Sequence, residues 1–142
     1  MQFTEGENLR QTVLSAPIGI CILNAITFKA ELVNDKFLEI AGKPREAILG
    51  KWHWESFAEV KAYYETALTQ VAVTGVPYYA NEVEMMLVRH GREENIFVTF
   101  VYAPVKNSAG EVVSVAVWVL ENTKQVKARQ ALTVVSRPYA IG

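Results

Sequence analysis

The sequence predicts an α+β fold: a five-stranded antiparallel sheet, helices inserted as one block between strands two and three and covering one face, and a flanking helix at each end. Three observations carry this expectation. Residues 78–121 hold three strand-length runs joined by short turn clusters, the pattern of consecutive hairpins. Two shorter β-like runs precede them at 18–24 and 29–34. Between the two groups lies a stretch of glycine-punctuated helical turns, too brief to be stable without a sheet to lie on.

The elements follow in order. Thr4 to Ser15 reads as a helix, with Thr4 and Glu7 at capping-box spacing and Leu9, Val13 and Leu14 on one face; Pro17 ends it. Ile18–Asn24, IGICILN, is continuously apolar, as a strand buried on both faces should be. After a turn near 25–27, KAELVN forms a second strand, with Ala30, Leu32 and Asn34 alternating with Glu31 and Val33. Asn34 then serves as N-cap, Phe37, Leu38, Ile40 and Ala41 form an apolar stripe, and Gly42 supplies the left-handed closing residue. Pro44 starts a second turn, with Ala47, Ile48 and Leu49 facing inward and Gly50 closing it, so that two short helices fold back on each other. A longer helix is expected over Ala58–Thr74, its apolar residues advancing by threes and fours until Gly75 and Pro77 stop it. The strand YYANEVEMMLVR runs to a tip at 90–92, ENIFVTFVYAPV to a turn at 107–110, and EVVSVAVWVLEN completes the sheet. A mostly polar exit helix spans Thr123–Ser136, with Ala128, Leu132 and Val135 at a/d-like spacing and Pro138 after it. Lys124, Lys127 and Arg129 crowd its start, where the helix dipole disfavours positive charge; a second copy or a longer coil would support it.

Composition narrows the function classes. The 142 residues are 51% hydrophobic with a net charge of −1, enough for one cored domain and without the basic excess of a nucleic-acid footprint. No apolar run approaches the roughly 20 residues of a membrane span, and MQFTEGENLR lacks the basic and apolar regions of a signal peptide. Cys21 is the single cysteine, so no internal disulfide is possible. A cytoplasmic domain without direct membrane contact is expected, although a piece of a membrane receptor reads the same way.

The element order and several motifs resemble a PAS domain with its C-terminal PAC segment over roughly residues 8–130. LSAPIGICIL resembles the family's entry into its first strand, VNDKFLEIAGKPREAILG its "N…F…G…E…L.G" core, TGVPYYANEVEM its helix-to-strand passage, and APVKNSAGEVVSVAVWVLENTKQ its "P…D..G…G……D.T" ending. Two positions depart from the pattern: Glu121 and Asn122 stand where an aspartate precedes the terminal threonine, here Thr123, and Lys124 stands where a glutamate often follows. Both bear on the polar contacts at the junction with the exit helix. The resemblance implies a sensory or interaction module without catalytic activity of its own, upstream of a histidine kinase, a diguanylate cyclase or a transcription regulator. It also implies a homodimer through the flanking helices and a signal passed to an output domain of the same parent chain. On this reading 1–16 is a flanking helix, 17–122 the core and 123–142 the signalling helix and tail.

Candidate chemistry is sparse. By the resemblance, Trp54, Tyr63, Tyr64 and Trp118 are candidates to line a ligand cavity between the long helix and the sheet, since aromatic bodies with one polar tip suit such a site; residues of this kind also serve as plain core. No cofactor is expected, and the ligand, if there is one, is a small molecule. Cys21 lies in the first strand, away from the position of a flavin-adduct thiol, and reads as a buried small hydrophobe. His53, between Trp52 and Trp54, is the one histidine worth testing for a metal or haem; the alternative is a partly exposed ring packed beside tryptophan. His90 lies at a hairpin tip. No ligand-spaced cluster accompanies either. Two other function classes remain: a small enzyme using Glu82 or Glu84, which share a strand parity, with a tyrosine, and a dimerisation segment with no ligand.

Overall fold

A computed structural model describes residues 5–135. The order is α1 (Glu5–Leu14), β1 (Gly19–Asn24), β2 (Ala30–Val33), α2 (Asp35–Ala41), a 3-10 turn (Arg45–Ala47), α3 (His53–Ser56), a second 3-10 turn (Ala58–Val60), α4 (Lys61–Thr74), β3 (Tyr78–Arg89), β4 (Arg92–Lys106), β5 (Val112–Glu121) and α5 (Thr123–Val135). The five strands form one sheet in the order β2-β1-β5-β4-β3, and every strand pair is antiparallel. The expected α+β architecture is present. The Thr4 cap, Ser136 and Pro138 lie outside the described residues.

Local chemistry explains several element ends. Asn34 is extended and its side chain accepts the Phe37 N–H, capping α2; Gly42 closes α2 at φ 61°, its N–H donating to the Leu38 carbonyl. A Cβ on Gly42 would also lie 2.6 Å from Cβ of Arg89, so the position needs glycine twice over. Gly75 ends α4 at φ 72°. The tip of the β3–β4 hairpin is His90 and Gly91 at φ 52° and 76°, the two positive values of a type I′ turn.

Three expectations are corrected. The long helix does not begin at Ala58: α3 and a 3-10 turn precede α4, broken at Phe57 (φ −127°, ψ 46°). The stretch after Pro44 is a single 3-10 turn rather than a helix. The alternation along β2 is interrupted, because the β1–β2 register shifts between Ile22 and Leu23. Ala30 and Val33 therefore both face the core, while Leu32 turns to the other side.

The core lies between the sheet and the block α2–α4. Helix α4 packs on β3, β4 and β5, and α2 on β1, β3 and β5. Leu68 and Val71 are the buried residues of α4, each worth about 1.5–3 kcal/mol of apolar burial. Gly19 permits this layering: a Cβ there would meet Phe37 Cα at 3.0 Å and a Val119 methyl at 2.8 Å.

Candidate ligand pocket

A narrow apolar pocket of about 60 Å³ opens between the helix block and the sheet. Strand parity builds its floor. Val98, Phe100 and Tyr102 alternate along β4, Val117 and Val119 along β5, and Met85 and Leu87 along β3. The roof is Phe37, Ile40 and Ala41 of α2, followed by His53, Phe57, Val60 and Tyr64. Tyr64 meets Phe100 edge-on at 5.1 Å, and Phe100 packs on Tyr102 at 5.1 Å. Burial raises the ionisation of Tyr102 and of Tyr64 above the usual phenol range, with the neighbouring tyrosines adding to it, so these hydroxyls stay neutral. No Asp, Glu, Lys or Arg lines the pocket.

Besides the Tyr64 and Tyr102 hydroxyls, His53 supplies a polar group to the wall. Its backbone N–H donates to the Phe28 carbonyl at 2.9 Å, which fixes the single turn of α3, and its ring packs on Phe57 at 5.0 Å and Trp54 at 4.6 Å. The residue is only 6% exposed, and burial lowers its pKa to about 3. The imidazole is therefore neutral at ordinary pH, and its Nδ1 has no hydrogen-bond partner; the indole Nε1 of Trp54 is likewise unpartnered.

Of the four aromatic candidates, the structure puts only Tyr64 on the pocket wall. Trp54 is buried in the core behind it, Tyr63 is 78% exposed on the outer side of α4, and Trp118 is 36% exposed. Trp118 pairs with Ile20 and Val101, so strand alternation sends it to the face opposite Val117 and Val119. His53 is corrected from a partly exposed ring to a buried one. Phe57, Phe100 and Tyr102 are absent from the sequence-based candidates, and His53 stands among them only for a metal or haem, not for this wall. Period-two alternation in IFVTFVY contains the signal for Phe100 and Tyr102; that for His53 is absent, because α3 is a tertiary product.

Glu82 and Glu84 stand apart from the pocket. Asn81 and Glu82 form a bulge opposite Thr99, where the β3–β4 register shifts, and Glu82 adopts φ 48°. Its carboxylate pairs with the Arg129 guanidinium at 2.5 and 3.0 Å, which holds it below the usual carboxylate range. A general acid at neutral pH needs the opposite shift. Glu84 lies opposite Phe97 on the strand. Cys21 is fully buried, and desolvation pushes its thiol up to about 12. Among the described residues no three His, Cys, Asp or Glu side chains are placed to hold a metal.

The junction with α5 is strongly bonded despite its departures from the motif. Thr123 Oγ1 donates to Glu121 at 2.7 Å and accepts the Phe97 N–H at 3.1 Å. Arg89 Nη1 donates to Glu121 at 2.7 Å and to the Ile40 carbonyl at 3.1 Å. Thr99 Oγ1 donates to Asn122 at 2.6 Å and accepts the Glu82 N–H at 3.1 Å. Beside Arg89, Lys43 donates to the Val88 carbonyl at 2.8 Å, bonds Glu59 at 2.7 Å and lies over the Phe57 ring at 4.7 Å.

The family described as PAS domain matches residues 17–125. Among solved structures, the chain is similar to an RNA-binding light-oxygen-voltage receptor (TM-score 0.72, 18% identity), covering 93% of this chain and 37% of that one. It is thus equivalent to about a third of that receptor. The PAS domain of Bordetella pertussis BvgS is similar with TM-score 0.67 and 22% identity, over 94% of this chain and 98% of that one. A sensory box sensor histidine kinase from Vibrio cholerae gives TM-score 0.57 and 16% identity, over 82% and 90% of the two chains. No protein with a curated description matches the chain. No helix among the described residues is long and apolar enough to cross a membrane.

Proposed function

Since this chain belongs to the PAS domain family, we propose that it is the sensory module of a signal-transduction protein, a histidine kinase or similar. It takes a small molecule in the pocket and relays occupancy through α5 to an output domain of the same parent chain. One observation carries this reading: β4 serves both sites with alternate residues. Val98 and Phe100 line the pocket, while Phe97 and Thr99 between them hold Thr123, Asn122 and the Glu82 bulge. A ligand that shifts the backbone at Phe100 shifts the same strand that holds the exit helix through the Phe97 backbone and the Thr99 hydroxyl.

The core of the module is residues 17–122, with 1–16 and the helix from Thr123 as flanking elements through which two copies dimerise in the cytoplasm. Apolar side chains left on the outer sheet face, Trp118, Leu120 and Tyr79 (36%, 43% and 70% exposed), favour such an association. The relay is tested by hydrogen exchange of residues 123–135 in Phe100→Leu. The expected result is a severalfold change in protection at 123–126, with Leu49→Ala, at an exposed site, as the silent control. Unchanged protection in Phe100→Leu overturns the relay. Sedimentation of the chain with and without residues 1–15 tests the dimer, which should weaken when they are removed.

A further inference from the structure

We propose that the pocket binds a neutral molecule of about two to four non-hydrogen atoms, carrying one hydroxyl or carbonyl group that hydrogen-bonds the His53 imidazole. This rests on the reading of the pocket as a sensory site and deepens it to a ligand class.

Size comes first. Drug-sized ligands occupy roughly 300–1,000 Å³, and an apolar cavity of about 150 Å³ takes benzene. At about 60 Å³, this pocket has proportionate room for a few heavy atoms. Charge comes second. The wall holds no carboxylate, ammonium or guanidinium, and burial keeps His53 neutral, so an ion would enter without a counter-charge, at a heavy desolvation cost.

Polarity comes third. A neutral imidazole offers one donor and one acceptor, and folded proteins leave very few buried polar atoms unpaired. Here His53 lines the pocket, and its buried Nδ1 lacks any partner among the described residues. Everything else on the wall is aliphatic or aromatic, apart from the tyrosine hydroxyls and the Met85 thioether. A small molecule with an apolar body and one polar group matches that wall at both ends.

Three probes of one shape separate the possibilities: propan-2-ol, its apolar isostere 2-methylpropane, and the anion acetate. Binding to the 142-residue chain is read from the methyl resonances of Val98 and Val117 and from the His53 ring-nitrogen resonances. Propan-2-ol is expected to saturate both sets. His53→Phe is expected to weaken propan-2-ol roughly tenfold or more, because the hydroxyl is then buried unpaired, and to leave 2-methylpropane unchanged. If both neutral probes bind and neither responds to His53→Phe, the role of His53 is overturned while the sensory pocket stands. Acetate binding as tightly as propan-2-ol overturns neutrality. If no probe shifts the valine methyls, the proposal and the sensory-pocket reading fall together. Should His53→Phe not fold, the wild-type nitrogen resonances decide: immobile signals at saturating propan-2-ol overturn the contact, and His53→Gln, which keeps a hydrogen-bonding group, should retain part of the affinity.

Discussion

Asn34→Ala tests what holds the pocket roof in place. The Asn34 amide is wholly buried and uses its full bonding capacity. Oδ1 accepts from Ile20 N and Phe37 N at 2.9 Å each, and Nδ2 donates to the carbonyls of Val13 at 3.0 Å and Ile18 at 2.9 Å. One side chain thus joins the end of α1, the entry to β1 and the cap of α2. At a net value of about 1 kcal/mol per bond, truncation removes about 4 kcal/mol, a large share of the roughly 5–15 kcal/mol of a typical domain. With about 2 cal/mol/K of unfolding entropy per residue, the melting temperature should fall by about 10–15 °C. Asn34→Asp gives a second, signed test. The new oxygen would face two carbonyl oxygens where an NH₂ had donated, so the fold disfavours the charged form and raises its pKa above the unfolded value. The native state then binds more protons than the unfolded one, and stability falls as pH rises from about 4 until the folded group has ionised. Urea titrations followed by tryptophan fluorescence at pH 4 to 8 read both effects. A loss below about 1 kcal/mol in Asn34→Ala, or a pH-independent loss in Asn34→Asp, refutes the bonding scheme.

Other outcomes follow from the same geometry. Gly42→Ala combines positive φ with a 2.6 Å approach to Arg89, whereas Gly50 has φ 78° and open space; calorimetry should show Gly50→Ala costing about 1–2 kcal/mol and Gly42→Ala clearly more. His53 has a lowered folded pKa, so the unfolded chain takes up a proton first on acidification. Its contribution to stability is complete above about pH 6.5 and is lost at up to about 1.4 kcal/mol per pH unit below that, towards the folded value of about 3. His53→Phe should lack this slope between pH 6 and 4, and parallel denaturation curves would refute the burial argument. Arg129→Gln breaks the pair with Glu82 and should speed amide exchange in α5, while leaving Val98 and Phe100 in the sheet centre protected.

The legible parts of the fold are those fixed by a residue and its immediate neighbours. Gly42 and Gly75 must take positive φ, Asn34 caps the turn that follows it, and the hairpins announce themselves by turn residues between alternating runs. The pocket was legible only as a place. Its occupants depend on register, which local patterns do not specify: one step along β5 separates Trp118 on the outer face from Val117 and Val119 on the wall. The bulge at Asn81–Glu82 similarly alters a parity that the uninterrupted sequence implies. The burial of His53 on the wall escapes because α3 is too short to have a helical signature, and that burial comes from Phe57 and Trp54 packing around it. The remaining bonds of Asn34, to Val13, Ile18 and Ile20, join segments whose proximity exists only in the folded chain.

The sheet order has a consequence for how the molecule assembles. Gly19 pairs with Val119 and Asn24 with Ser114, so β1 has no central neighbour until nearly the whole described chain has emerged. The β1–β2 hairpin must wait as a half-sheet with one open edge, while the meander of β3 to β5 can zip locally. Closure of that distant seam, a high-contact-order event, is therefore expected to set the folding rate, and a ribosome pausing before residue 112 would display two unfinished edges to the cell's chaperones.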